Sequence, residues 1–110
     1  MKLEVGMYVK TEKGYIYKLS RYEEDNNRWI SSEENDWYPV YESLVTKASH
    51  NIIDLIEAGD YVNGVMVTEI KDGKPFKEDY NDPYYSYYFD DIYSIVTKEQ
   101  FSQMEYKVGE

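Results

Sequence analysis

The feature that most constrains this chain is that it repeats itself. Glu4-Val5-Gly6-Met7-Tyr8-Val9 returns as Glu57-Ala58-Gly59-Asp60-Tyr61-Val62, a shared E-x-G-x-Y-V pattern 53 residues apart. Further along each half, Ser43-Leu44-Val45-Thr46-Lys47 returns as Ser94-Ile95-Val96-Thr97-Lys98, 51 residues apart. Two matches in the same order and at nearly the same spacing predict a duplicated unit of about fifty residues. Under that reading Gly6 is equivalent to Gly59 and Val45 to Val96.

Each half reads as short strands punctuated by turns. Tyr8-Val9-Lys10-Thr11 leads through Glu12-Lys13-Gly14 into Tyr15-Ile16-Tyr17-Lys18-Leu19, and Gly14 can take the positive φ of a hairpin. Glu23-Glu24-Asp25-Asn26-Asn27 is too polar to pack and reads as a loop before a strand at Arg28-Trp29-Ile30-Ser31. A second acidic loop, Glu33-Glu34-Asn35-Asp36, precedes Trp37-Tyr38-Pro39-Val40, and Pro39, lacking an N–H, marks an edge or a bulge. Tyr41 to Thr46 completes the small antiparallel sheet.

Asn51-Ile52-Ile53-Asp54-Leu55-Ile56-Glu57 fits one or two helical turns, with Ser49 or Asn51 as cap, and links the halves. Asn63-Gly64 is a strong hairpin signal between Tyr61-Val62 and a strand at 65–70. Lys71-Asp72-Gly73-Lys74-Pro75 reads as a loop, and the segments 84–89 and 91–96 as strands parted at Asp90-Asp91. Thr97 to Gln100 forms a capping box before a short helix through Met104, and Tyr106-Lys107-Val108 suggests one more strand.

The fold class is therefore mostly β with a minor α component. It comprises two duplicated SH3-like antiparallel units, 1–50 and 51–110, packed as one compact domain, with short helices near 51–57 and 98–104. A Gly ahead of an alternating strand allows the sharp bend such barrels need. One α+β domain with a single larger sheet is the alternative. Trp29, Trp37, Tyr8 and Tyr61 are the expected bulky core residues.

The blocks Asn51-Ile-Ile-Asp-Leu-Ile-Glu-Ala-Gly-Asp-Tyr-Val-Asn-Gly64, Ile95-Val-Thr-Lys-Glu-Gln-Phe101 and Tyr106-Lys-Val-Gly-Glu110, with the opening Glu4-Val-Gly-Met-Tyr-Val9, resemble a family of small proteins encoded by phages and mobile elements of Firmicutes. Residues 20 to 45 and 71 to 92 match it only loosely. The resemblance implies a setting, an accessory protein acting in the cytoplasm of a bacterial host, and carries no catalytic residue with it. Phage proteins of this size and charge include anti-CRISPR and other anti-defence inhibitors, an analogy of class.

Charge narrows the partners. With 22 acidic against 12 basic side chains the net charge is −10, which disfavours direct binding to nucleic acid or an anionic membrane and suits a basic partner. No cysteine is present, so thiol chemistry and thiolate metal sites are excluded. No apolar run approaches the roughly 18 to 20 residues that span a bilayer, and Met1 to Gly6 lacks the apolar stretch of a signal peptide. The single imidazole, His50, has no matched nucleophile and orienter, and its expected role is capping or solvent exposure. Gly59 and Gly64 lack the ending of a phosphate loop, and Asp79-Tyr80-Asn81-Asp82 lacks the ligand ladder of a calcium loop. No enzyme activity, cofactor or metal is expected.

The positive signal is aromatic and acidic together. Of the 110 residues 14 are Tyr, against 3 Phe and 2 Trp, and Tyr buries area at interfaces at low entropic cost. Strict alternation over 84–89 would put Tyr85 with Tyr87 on one face and Tyr84 with Tyr88 on the other, more than one small core can hold. Flanked by Asp79, Asp82, Asp90 and Asp91, and with Glu33, Glu34 and Asp36 in the first half, these residues form the candidate partner-binding surface. Its expected target is a basic or nucleic-acid-binding host protein. An SH3-like adaptor receiving a peptide or a phage protein is the alternative.

Overall fold

The computed structural model describes residues 2–33, 36–79, 82–88 and 92–104, with the backbone alone described at 33, 78, 79 and 82–88. Glu34, Asp90, Asp91 and the suggested strand at 106–108 lie outside the described residues. The chain divides into two compact units, Met1–Leu55 and Ile56–Glu110. The division falls five residues after the boundary read from the sequence. The reason is local: the 3-10 turn Ile52–Leu55 packs on strands of the first unit and buries Leu55.

In the first unit, Gly14 at φ 87° closes a tight turn in which its N–H donates to the Thr11 carbonyl at 2.9 Å. This joins β1 (Tyr8–Thr11) to β2 (Ile16–Lys18). Then follow β3 (Arg21–Glu23), β4 (Arg28–Glu33), β5 (Asp36–Val40) and β6 (Val45–Ser49), in antiparallel sheets ordered β2-β1-β6 and β3-β4-β5. β2 and β3 are two arms of one bent strand. The Leu19 N–H donates to Met7 in the first sheet, whereas the adjacent Ser20 N–H donates to Ile30 in the second, both at 2.8 Å. The bend turns both sheets around Leu3, Val9, Leu19 and Val40, against which Met7, Tyr17, Trp29, Val45 and Ala48 pack. Each fully buried Val or Leu here contributes about 1.5–3 kcal/mol.

Several expectations change in this unit. The piece read over 41–46 is the 3-10 turn Glu42–Leu44 followed by β6, and Glu33 and Asp36, read as loop, end β4 and open β5. Glu23 belongs to a strand, paired with Arg28, and the loop shrinks to the 3-10 turn Glu24–Asn26, closed by Asn27 in the left-handed region. Trp37 is not core: it is 55% exposed. By alternation Trp37 lies on the face opposite Val40, the one buried residue of β5, and even Tyr38 on Val40's own face is exposed. Pro39 does lie on an edge, since β5 pairs only with β4 among the described strands.

In the second unit, β7 (Tyr61–Val62), β8 (Val65–Met66) and β12 (Ile95–Val96) form the sheet β12-β7-β8, while β9 (Glu69–Lys71), β10 (Lys74–Asp79) and β11 (Asp82–Tyr88) form the other. Ile56, Val62 and Val67 make the core, with Ile92 and Ile95 against it. Asn63-Gly64 (φ 53° and 81°) and Asp72-Gly73 (φ 51° and 75°) are both two-residue turns with positive φ at each position. The loop read over 71–75 is therefore a hairpin. Only Asp72 and Gly73 turn, and Lys74 and Pro75 already belong to β10. The strand read over 65–70 likewise breaks at Val67-Thr68, the bend of this unit.

At 92–94 the chain leaves the ladder. The Asn63 side-chain oxygen accepts from the Tyr93 and Ser94 N–H groups at 3.0 and 3.1 Å while the Asn63 N–H donates to the Ser94 carbonyl at 2.9 Å, and among the described residues of the strand read over 91–96 only Ile95–Val96 is a strand. The helix α1 (Lys98–Gln103) follows with the expected capping box, the Thr97 side chain accepting from the Gln100 N–H and the Gln100 side chain from Thr97.

The two units repeat bond for bond at their openings. Met7 N–H to Glu4 and Gly6 N–H to Leu19 recur as Asp60 N–H to Glu57 and Gly59 N–H to Val67, and the bend bond Ser20 to Ile30 recurs as Thr68 to Phe76. Gly6 and Gly59 hold equivalent positive φ values of 89° and 97°. The second motif falls out of register. Val96 pairs with Tyr61, as Ser49 pairs with Tyr8, so Val96 stands where Ser49 does and not where Val45 does. The last strand spans five residues in the first unit and two in the second, which leaves room for this slip.

Candidate acidic and aromatic surface

The hairpins β4-β5 and β10-β11 occupy equivalent places, each beginning on the strand that follows the bend. Counting from the equivalent Ile30 and Phe76, the closing pair is Glu33 with Asp36 in one unit and Asp79 with Asp82 in the other. Both tips thus carry a carboxylate residue on each strand, and four of the residues read from sequence fall at these two tips: Glu33, Asp36, Asp79 and Asp82. Aromatic residues follow directly after Asp36, and after one intervening proline, Pro83, beyond Asp82.

In the first unit Asp36, Trp37 and Tyr38 are all exposed, Trp37 and Tyr38 by 55% and 43%. In the second, β11 continues Pro83-Tyr84-Tyr85 and shifts register: Asp82 pairs with Asp79 but Ser86 pairs with Glu78, which leaves residues 83–85 as an insertion. Pro83 cannot donate to a ladder, consistent with a bulge there. Tyr87 and Tyr88 return to register opposite Lys77 and Phe76. The unbroken alternation assumed for Tyr84, Tyr85, Tyr87 and Tyr88 therefore does not hold.

The first unit already satisfies aromatic faces with its own cations. The Arg28 guanidinium lies 5.4 Å from the Trp37 ring centre, and Lys18 lies 5.5 Å from that of Tyr8. Arg28 is also bonded to Glu23 at 3.0 Å. Its hydrogen bond with Tyr41, and then Glu23, hold its pKa above the ordinary value. Glu23 is held below the usual carboxylate value, first by its hydrogen bond from the Asn26 side chain and then by Arg28.

Sequence reasoning missed a row of rings. Tyr17 lies 6.4 Å from Tyr15 and 5.9 Å from Tyr38 between ring centres. Burial, and then the neighbouring Tyr15 and Tyr38, push the Tyr17 phenol above its ordinary value. The signal was available: Tyr15, Tyr17 and Leu19 alternate, and Leu19 is core, so all three belong to the inward face. The row extends that core to the rim of the unit.

His50 meets Glu4 at 3.0 Å and is exposed, while Lys98 pairs with the equivalent carboxylate, Glu57, in the second unit. The capping role falls instead to Ser49 and Asn51, whose side chains accept from the Asn51 and Ile53 N–H groups. Among the described residues no three His, Asp or Glu side chains converge as a metal site, and no helix is long and apolar enough to cross a membrane. No family model, curated protein or solved structure matches this chain.

Proposed function

We propose that this chain is a non-enzymatic binding protein that presents acidic hairpin tips and neighbouring aromatics to a basic, nucleic-acid-binding protein of a bacterial host, in the manner of a phage anti-defence inhibitor. The observation that carries this reading is the recurrence of one arrangement in both units: a closing acidic pair, Glu33 with Asp36 or Asp79 with Asp82, followed by aromatics, at once in the first unit and after Pro83 in the second. Exposed Trp37 and Tyr38 are the described instance. Carboxylates spaced along hairpin tips attract the Lys and Arg residues that line a phosphate-binding groove, and adjacent rings add cation–π contact as water leaves. With a net charge of −10 the approach to such a groove is steered from a distance.

The test is affinity capture from host lysate at low and moderate salt, followed by direct binding of the captured protein to a variant with Asp36, Asp79 and Asp82 changed to Asn. The reading expects nucleic acid to compete for the target, the triple variant to bind about tenfold or more weakly, and affinity to fall with salt as the screening length contracts. Equal binding at low and high salt with the triple variant unaffected would favour the peptide-adaptor alternative, for which the SH3-like strand order of each unit is the supporting feature.

A further inference from the structure

Away from the hairpin tips, the first unit carries a cavity of about 300 Å³ lined by Lys2, Leu3, Tyr22, Trp29 and Glu42. Its construction follows from the ladder. Tyr22 on β3 and Trp29 on β4 are direct cross-strand partners, and their rings meet 5.1 Å apart at 56°. Trp29 packs on the core while Tyr22 remains 44% exposed, so one ring forms floor and the other wall. Leu3, itself part of the core, completes the apolar base. Glu42 opens the 3-10 turn Glu42–Leu44 and stands exposed at the margin. Among the described residues Glu42 takes part in no ion pair, whereas the nearby Arg28 is committed to Glu23, Tyr41 and the Trp37 face.

We infer that this cavity is a subsite for one arginine side chain of a basic partner protein. Two aromatic faces, an apolar base and an uncompensated carboxylate at the margin match a guanidinium group in each part. The planar cation stacks on the more exposed Tyr22 ring with the tilted Trp29 ring beside it, its methylene stem lies along Leu3, and its N–H groups donate to the Glu42 carboxylate in the fork geometry arginine favours. Arg28 over Trp37 shows the same pairing within this unit. Lys2 is the counterweight, an exposed cation at the same margin that competes for Glu42. The inference rests on the reading of the chain as a binder of a basic protein and adds to it a defined anchoring residue.

The test uses the full chain with Nα-acetyl-arginine N-methylamide as probe and its neutral citrulline analogue as control, followed by 1H–15N NMR with the two indole resonances assigned through Trp37→Phe. The expected result is a saturable shift of the Trp29 indole and the Tyr22 amide, with no such shift from citrulline. Glu42→Gln and Tyr22→Ala should each weaken binding about fivefold or more, Lys2→Ala should tighten it, and Asp36→Asn should leave it within about twofold. Trp29 unmoved at about 50 mM probe, or Glu42→Gln without effect while its spectrum stays folded, would overturn the subsite. A captured basic partner that loses affinity with the hairpin variants but not with Glu42→Gln would overturn the subsite alone and leave the surface reading standing. A shifted Trp29 in a chain that captures no basic protein would support the subsite and count against that reading.

Discussion

Lys98 pairs with Glu57 in the second unit as His50 pairs with the equivalent Glu4 in the first, from one position further along the chain. In both, the carboxylate at the start of the repeated opening motif reaches a side-chain nitrogen just past the last described strand. The carboxylate is shared by the two motifs and its partner is not.

The Lys98 pair can be read by pH. The Lys98 ammonium is held above its ordinary value, mainly by its hydrogen bond to Glu57. A group whose folded pKa is raised contributes stability that is fully present below its unfolded value and is lost as pH rises through the folded one. Alkaline titration above the ordinary lysine value of 10.5 should therefore weaken the second unit. Because Lys98 is 43% exposed, Glu57→Gln should cost only about 0.2–1 kcal/mol, measured by denaturant unfolding at pH 7, and should reduce the Lys98 contribution to the alkaline loss, leaving the smaller part due to Asp60 and Glu99.

Asp60 should matter far more than that surface pair. It is fully buried, its two carboxylate oxygens accepting from the Glu57 N–H at 2.8 Å and the Lys98 N–H at 2.9 Å. One side chain thus ties the opening turn to the start of the helix. Asp60→Ala strands both donors, and hydrogen bonds to charged groups contribute about 1.5–3 kcal/mol each, so a loss of about 3 kcal/mol or more is expected. Amide dispersion over 56–104 and far-UV circular dichroism on urea titration measure it. A loss below about 1 kcal/mol would show that the clamp is dispensable.

Tyr17 should be a late titrating phenol. Absorbance at alkaline pH, compared with Tyr17→Phe, should assign to it a midpoint above the ordinary 10.0. The stability linked to this group is complete below 10.0 and declines as pH rises through the elevated midpoint. Since burial is the larger cause and the phenols of Tyr15 and Tyr38 the smaller, the double variant Tyr15→Phe, Tyr38→Phe should lower the midpoint without restoring it fully. Restoration to 10.0 in that variant would assign the whole shift to the neighbours.

Much of the fold was legible because its decisive residues act locally. Glycine at a positive φ, the Asn63-Gly64 turn, the Thr97–Gln100 box and the proline at the edge each announce themselves within a few residues. What failed was anything settled by a partner strand. Glu23 looks like loop until Arg28 lies opposite it. Lys74 and Pro75 look like loop until Ile70 and Lys71 pair with them. The four-residue slip between Val45 and Val96 arises because strand composition is alike at both places while register depends on the first strand. The candidate surface was legible as acidic tips followed by aromatics. The Tyr22–Trp29 cavity was not, because its lining comes from residues 2, 3, 22, 29 and 42, and no short motif records that meeting.

The strand order has a consequence for synthesis. In each unit the first strand is the central one of its sheet, flanked by the second strand and by the last. On the ribosome, β1 gains β2 at once but keeps its other edge open until Val45 onward has emerged, and β7 waits in the same way for Ile95. At translation speeds of about 5–20 residues per second each interval lasts about 2–7 s. Every nascent copy therefore passes twice through a state with a bare edge on the strand that will become its innermost, and those two windows, not the finished protein, are where neighbouring copies on a polysome can mispair.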